Sequence, residues 1–337
     1  MAGLGQWGPN LLRNLGENPS VSVAALCDRD PARLAKFRDQ HPAARLCADL
    51  ADLANDPQID AIVVATPAGL HAEHARLLLN AGKDVLVEKP LAMTLREASE
   101  LVALARSRGR ILMTGHTFLF NAAVRRVREE IRQGTLGPLR FISAQRLSLG
   151  QVRSDCNALW NLAPHDISIL LHWLGETPVS VTARGITFDP RQQQEDIVLC
   201  QLEFPSRVLA SVHVGWLNPV KVRAMTLVGA KRMLVYDDVD STRPLTLYDR
   251  GLQEVETTAP EGSLERFRFA VRPGPEEQLA VEWREPLAAE VDHFVQCIRR
   301  REEPIGSGAE ALRVISVLEA CQESLRHGGK PVIPAAV

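Results

Sequence analysis

Several features are scarce in this chain of 337 residues, and net charge is the first of them. The 39 basic residues nearly cancel the 41 acidic ones, leaving minus two at pH 7. The basic residues gather into no tail or stripe, so nothing recommends a nucleic-acid or polyanion partner. Long apolar runs are missing too, since none approaches the roughly 20 residues that a bilayer span requires. The opening Met1-Ala2-Gly3-Leu4-Gly5-Gln6-Trp7 has neither the charged nor the apolar region of a signal peptide. The expectation is a cytoplasmic protein without membrane contact. The 6 cysteines, Cys27, Cys47, Cys156, Cys200, Cys297 and Cys321, lie at least 20 residues apart and include no CxxC pair. That spacing argues against structural zinc and against a disulfide framework. Cys27 and Cys200 fall in apolar runs and read as buried, reduced thiols.

What is present is the usual globular mix, 45% apolar and 24% charged, in a length suited to two domains of about 100–200 residues each. Through residue 117, β-branched runs alternate with helical patterns, the signature of βαβ units on a parallel sheet. Strands are expected at residues 21–27, 61–65, 85–87 and 111–113. Helices are expected from Asp30-Pro31 to about Gln40, from Leu70 to Asn80 before Gly82, and from the capping box at Thr94 to about Arg108. Beyond residue 118 the period changes. A helix over about 122–133 precedes a strand at 139–147, and Pro164 is expected to open a second helix ending at Leu174-Gly175. Strand patterns follow at 179–188, 197–204, 208–216, 222–228, 233–236 and 245–248, joined by short turns into a mainly antiparallel sheet. Residues 253–275 read as a long loop, and helices over about 286–300 and 309–327 complete the pattern. The expected domains are 1–117, binding a dinucleotide, and 118–337, an α+β substrate and oligomerisation domain.

Three groups of residues carry chemistry. Gly3-Leu4-Gly5-Gln6-Trp7-Gly8 fits G-x-G-x-x-G, in which glycines permit a tight turn, close approach to a pyrophosphate and close helix packing, while helix N-terminal amides receive the phosphates. Asp28 follows Gly8 by 20 residues at the end of the next expected strand, where its carboxylate can accept bonds from a ribose diol. That carboxylate repels a 2′-phosphate and favours NAD, and Arg29 beside it leaves NADP open. The second group is Thr66-Pro67 with His71, together with Glu88-Lys89-Pro90. Both follow parallel strands at their ligand-binding ends, although a solvated side chain is the common fate of a lysine. The third is Asn161-Leu162-Ala163-Pro164-His165-Asp166. If Pro164 opens the helix, the helix dipole disfavours imidazolium at His165 and leaves a neutral base; a histidine satisfied by packing is the competing reading. His172 shares that face, but no metal-ligand spacing results, and no metal is expected. His293 and Cys297, four apart on a helix, are explained by packing.

Taken with Gly115-His116-Thr117-Phe118 and the late Glu285-Pro286-Leu287 with Glu290, these motifs resemble, in order along nearly the whole chain, the Gfo/Idh/MocA oxidoreductases. The resemblance implies an α/β chain, with an N-terminal Rossmann domain and a C-terminal domain built on an open, mainly antiparallel sheet. Such sheets are commonly used in oligomer contacts, so a homo-oligomer is expected. It implies NAD(P)-dependent hydride transfer to or from a sugar, cyclitol or nucleotide-sugar hydroxyl, with inositol and nucleotide-sugar dehydrogenases the most similar members. Lys89 takes the place of the lysine that orients the reacting oxygen, and His165 that of the general acid–base. Gly3, Gly5, Gln6, Trp7, Gly8, Asp28, Thr66, His71 and Glu88 would line the cofactor site. Asn121 and Arg146 are candidate substrate contacts, with solvated sheet-edge positions the alternative for Arg146 and Arg153. Many relatives carry aspartate where this chain has Asn161, which could orient the His165 ring but not charge it. A dinucleotide-binding regulatory or scaffold protein without turnover is the competing function. Only Met1 and Ala2 precede the glycine motif, where a Rossmann fold places a central strand of about five to six residues. Either this sequence starts downstream of the true start, which is the favoured expectation and makes the first strand truncated, or the sheet is built without that strand, leaving its neighbours' edges exposed and the phosphate turn weakened.

Overall fold

In a computed structural model, the structure describes residues 1–150, 156–189, 191, 194–254 and 269–337. Five parallel strands, β1 (Ala25–Cys27), β2 (Arg45–Cys47), β3 (Ala61–Val64), β4 (Asp84–Glu88) and β5 (Leu112–Gly115), alternate with helices α1 (Gly8–Glu17), α2 (Pro31–Phe37), α3 (Leu50–Ala54), α4 (His71–Asn80) and α5 (Leu95–Arg108). Strands β1, β3 and β4 are buried along most of their length because helices cover both sides; Val85, Leu86 and Val87 of β4 are fully buried, whereas β2 exposes Arg45. Local chemistry sets the helix ends. Asp30 accepts from Ala32 N at 2.9 Å, and Thr94 accepts from Glu97 N at 3.2 Å while donating to its carboxylate at 2.9 Å.

The sheet does not lack its middle. Ala2 bridges β1 and β3 in parallel register. Ala2 N donates to Val63 O and Ala65 N to Ala2 O, both at 2.8 Å; Gly3 N donates to Cys27 O and Cys27 N to Met1 O at the same distance. The expected exposure of the neighbouring edges is thus corrected, because two residues suffice to satisfy the facing backbone groups. Strand β2 and helix α3 escaped the sequence reading, being three and five residues long, too short to show a period.

The second half contains α6 (Ala122–Arg132), β6 (Leu139–Leu147), α7 (Ala158–Leu174), β7 (Ser180–Ile186), β8 (Ile197–Glu203), β9 (Leu209–Gly215), β10 (Val222–Gly229), β11 (Met233–Asp237), β12 (Leu245–Tyr248), β13 (Gly251–Glu254), β14 (Phe269–Arg272), β15 (Glu276–Gln278), α8 (Pro286–Arg300) and α9 (Gly308–Arg326). Eight strands form one sheet in the order β15-β12-β11-β10-β6-β9-β8-β7. Every pairing is antiparallel except β6 with β9. One face is packed and the other is open, so β8 alternates buried Val198, Cys200 and Leu202 with exposed Leu199, Gln201 and Glu203. The expected loop at 253–275 is corrected at its ends, where β13 pairs with β14; residues 255–268 lie outside the described residues.

Helix α7 also departs from expectation. It starts at Ala158, capped by the Asn157 side chain on Trp160 N at 3.1 Å, with Pro164 inside it. Pro164 interrupts the ladder without ending the helix, because the flanking Ala163, Ile167 and Leu170 are anchored in the core. Helices α8 and α9 return to the first sheet. Leu287, Val291 and Phe294 share a core with Leu4, Leu11 and Leu26, and Ala311 and Ile315 share another with Ala98, Leu101 and Leu112. Arg301, just past α8, grips both oxygens of buried Asp84 at 2.9 and 2.8 Å. Arg301→Ala removes that clamp and leaves the buried carboxylate with its bond from Ile111 N at 2.8 Å. The expected loss of stability in urea unfolding is about 1–3 kcal/mol, near the lower end because Arg301 is half-exposed.

Candidate active site

A cleft of about 1750 Å³ runs along the carboxyl ends of the parallel strands and on to β6, β10 and α7. At one end the chain turns at Gly3, whose φ is +91° and where a Cβ would lie 2.5 Å from Ala65 O. A Cβ on Gly8 would lie 2.4 Å from Gly3 O, so the third glycine packs the start of α1 onto the turn. Gly3, Gly5, Gln6 and Trp7 line the cleft itself. Asp28 faces it too. Its Oδ2 accepts from Leu4 N at 2.7 Å and its Oδ1 from Asp30 N at 2.9 Å, and Arg33 Nη1 stands 3.6 Å away. A glycine turn that excludes side chains and a carboxylate fixed at the strand end fit a dinucleotide, with Arg29 and Arg33 lining the same end.

Thr66 and His71 lie where the sequence places them, with different roles. His71 is buried, its Nδ1 2.7 Å from Pro90 O and its Nε2 2.8 Å from Thr66 O. It ties the two strand-end loops together, and burial holds its pKa below the ordinary imidazole value. His74, which sequence reasoning passed over, lines the cleft and bonds Thr66 Oγ1 at 2.9 Å.

At the other end the two halves of the chain meet. Lys89 Nζ donates to the backbone carbonyl of Asn161 at 3.2 Å. His165 also lines the cleft, its Nδ1 buried and without a hydrogen-bond partner. Its pKa lies well below the ordinary imidazole value, first because of burial and then because Lys89, Arg146, His116 and Arg223 are close. With α7 starting at Ala158, the expected helix-terminus effect is replaced by burial and neighbouring cations. The Asn161 side chain, expected to orient the ring, has its Oδ1 accepting from Trp216 Nε1 at 3.4 Å. His172 points elsewhere, 3.4 Å from Arg128 Nη1.

Arg146 is neither a sheet-edge residue nor solvated. It lies on a central strand, buried, and pairs with both oxygens of Asp166 at 3.0 and 2.9 Å. Asn121 lines the cleft but is committed, capping α6 through Ala123 N at 2.8 Å and donating to Asp238 Oδ1 at 3.2 Å. Arg153 lies outside the described residues. Arg223, which ends the stretch at 216–223 similar to inositol and nucleotide-sugar dehydrogenases, and Asp238, which no motif marked, also line this end, brought together by the neighbouring strands β10 and β11.

Behind Lys89 sit acidic groups that the sequence showed only as motif letters. Glu88 is pushed up to about 7 by burial. Glu290 of α8, fully buried and close to Glu88, is raised further and accepts from Thr117 Oγ1 at 2.7 Å. His116, also fully buried, is lowered to about 4. Among the described residues no cluster of His, Cys, Asp and Glu is arranged to hold a metal ion, and no helix is long and apolar enough to cross a membrane.

Comparison with known proteins agrees with this geometry. Residues 1–116 match the profile of the oxidoreductase family with an NAD-binding Rossmann fold, and residues 124–235 match the GFO/IDH/MocA C-terminal domain. The chain belongs to the Gfo/Idh/MocA oxidoreductases. Among its relatives is the 1-carboxy-3-chloro-3,4-dihydroxycyclohexa-1,5-diene dehydrogenase of Comamonas testosteroni, 29% identical over 59% of this chain and 55% of that one. The match thus spans little more than half of that enzyme's length. The UDP-N-acetylglucosamine 3-dehydrogenase of Acidithiobacillus ferrooxidans is 25% identical over 77% of this chain and 76% of its own. The crystal structure of the aldose-aldose oxidoreductase of Caulobacter crescentus superposes with a TM-score of 0.83 over 99% of this chain and 98% of its own, at 24% identity, and so shares the fold.

Two predictions follow from the geometry. Gly3→Ala forces a side chain against Ala65 O at a positive φ; the expected outcome is a loss of about 1–3 kcal/mol in unfolding experiments with weakened NAD+ binding in calorimetry. The second concerns Glu88, whose carboxyl keeps its proton up to about pH 7 in the folded chain against an ordinary value of 4.5. Between those values the folded state binds more protons than the unfolded one, so this group's contribution to stability is present below 4.5 and lost as pH rises through 7. Glu88→Gln, measured without cofactor, should therefore gain stability relative to the parent as pH rises across that window and show no further relative gain above it.

Proposed function

We propose that this protein moves a hydride between NAD and a secondary hydroxyl or ketone on a polyhydroxylated ring, a sugar, a cyclitol or the sugar of a nucleotide sugar. The observation that carries this reading is the convergence of Lys89, from the end of β4, and His165, from α7, in the cleft whose far end holds the glycine turn and Asp28. NAD, when bound, supplies the hydride acceptor or donor. The rest is the work of this chain. In oxidation, His165 takes the hydroxyl proton, and its low basicity keeps it neutral and ready to do so. The Lys89 ammonium stabilises the alkoxide character that develops on the oxygen. In reduction, the proton returns from His165 to that oxygen.

Charge balance supports a neutral ring at the reacting end. Arg146 is engaged bidentately by Asp166, and Arg223 faces Asp238 at 3.5 Å, so neither has its donors free for a phosphate. The names of two relatives support hydroxyl-bearing rings as the substrate class, one naming a carboxylated cyclic dihydroxy compound and the other a nucleotide sugar. The open sheet face, with Leu199 and Leu209 exposed on it, supports assembly as a homo-oligomer.

A panel of inositols, free sugars and UDP-sugars, followed by NADH absorbance, tests the reading. Lys89→Ala and His165→Ala should each lower turnover by about 100-fold or more, with NAD+ affinity in calorimetry little changed. Tight NAD+ binding without turnover of any panel member would instead identify a binding module.

A further inference from the structure

Arg146 and Asp166 have more to do than cancel each other's charge. The guanidinium carbon of Arg146 lies 4.4 Å from the centroid of the Phe118 ring, over its face. Phe118 in turn meets the His165 imidazole edge-on, with centroids 5.0 Å apart and planes at 61°. Asp166 is the next residue after His165 on α7, so the contacts close a ring that runs from Asp166 to Arg146, to Phe118, to His165 and back through the helix. Both charged side chains are almost fully withdrawn from solvent, at 6% and 2% exposure. The bidentate fork therefore holds the guanidinium at a fixed place and tilt.

His165 needs such a support. Its Nδ1 has no hydrogen-bond partner, and Asn161, four residues earlier, directs its oxygen to Trp216. We propose that Arg146, fixed by Asp166, is a positioning residue for His165, setting the plane of the imidazole through Phe118 and placing a permanent positive charge beside it. The inference rests on the proton-transfer role given to His165 above. The charged and titratable groups close to that imidazole are Lys89 at the end of β4, His116 just past β5, Arg146 on β6 and Arg223 on β10. Each opposes its protonation, and Arg146 also reaches it through the Phe118 ring, over whose face it lies and whose edge contact is with the imidazole. An anionic partner would raise the basicity of His165; this arrangement orients the ring while keeping it neutral over a wider pH range.

The test is histidine NMR on the full chain, with ring-labelled histidine and the His165 signal assigned by its loss in His165→Ala. Arg146→Gln removes the charge and keeps a donor for Asp166, and should raise the His165 titration midpoint by about half a pH unit or more. Arg146→Lys keeps the charge and loses the flat fork, and Phe118→Leu keeps the ion pair and loses the ring. Both should leave the midpoint near that of the parent while lowering kcat about tenfold or more on an active panel polyol with little change in KM. An unmoved midpoint in Arg146→Gln overturns the proposal, as does an equal rise in all three variants, which would mean only that the pocket had loosened. If Arg146→Gln does not fold, a rise in both other variants still overturns it, and two unmoved midpoints with reduced kcat support it. Full turnover in His165→Ala would remove the proton-transfer reading, an outcome separate from any change in the midpoints.

Discussion

The cleft depends on the backbone of residues 1–3. Ala2 is bonded to β1 on one side and β3 on the other, and the chain then turns at Gly3 beneath Ala65 with no room for a side chain. These few hydrogen bonds join the two halves of the parallel sheet and bring the glycine turn level with Asp28 and Thr66. The glycine turn and the ends of β1 and β3 take their relative positions from that junction. Asp28 reinforces it by accepting Leu4 N, so the carboxylate suited to a ribose also braces the turn.

The reacting end is organised by burial more than by pairing. Imidazoles at His116 and His165 are held neutral by loss of solvent and by neighbouring cations, and carboxyls at Glu88 and Glu290 hold their protons more tightly than in water. Lys89 thus stands among groups that burial drives toward their neutral forms. In such surroundings a positive charge acts on a nearby anion more strongly than it does in water. The arginines that could have attracted a phosphate are each committed to an aspartate.

Much of this was legible in the chain because its signals are local. A glycine pattern, an acidic residue after the next strand, a capping box at Thr94 and the alternation of β8 each follow from backbone sterics or from which face is wet. Lys89 was legible for a related reason, since a residue ending a buried parallel strand opens onto the ligand side. The misreadings share one cause. Pro164 looked like a helix start because local rules favour that position, but core packing on both sides carried the helix through it. Arg146 looked like a surface residue because arginine usually is one; its partner lies on α7, beyond any pattern in β6.

Residue order alone was enough for the βαβ half, the open antiparallel sheet, the family and the glycine turn with its following acidic residue. Those properties depend on residue type and on spacings of a few residues. Tertiary packing set the rest: Ala2 bridges β1 and β3, Asn161 Oδ1 accepts from Trp216 Nε1, and the Arg146–Asp166 pair and the Phe118 ring lie beside His165. Each is a contact between segments far apart in the chain, where the closest approach of side chains is set by packing and not by the order of residues.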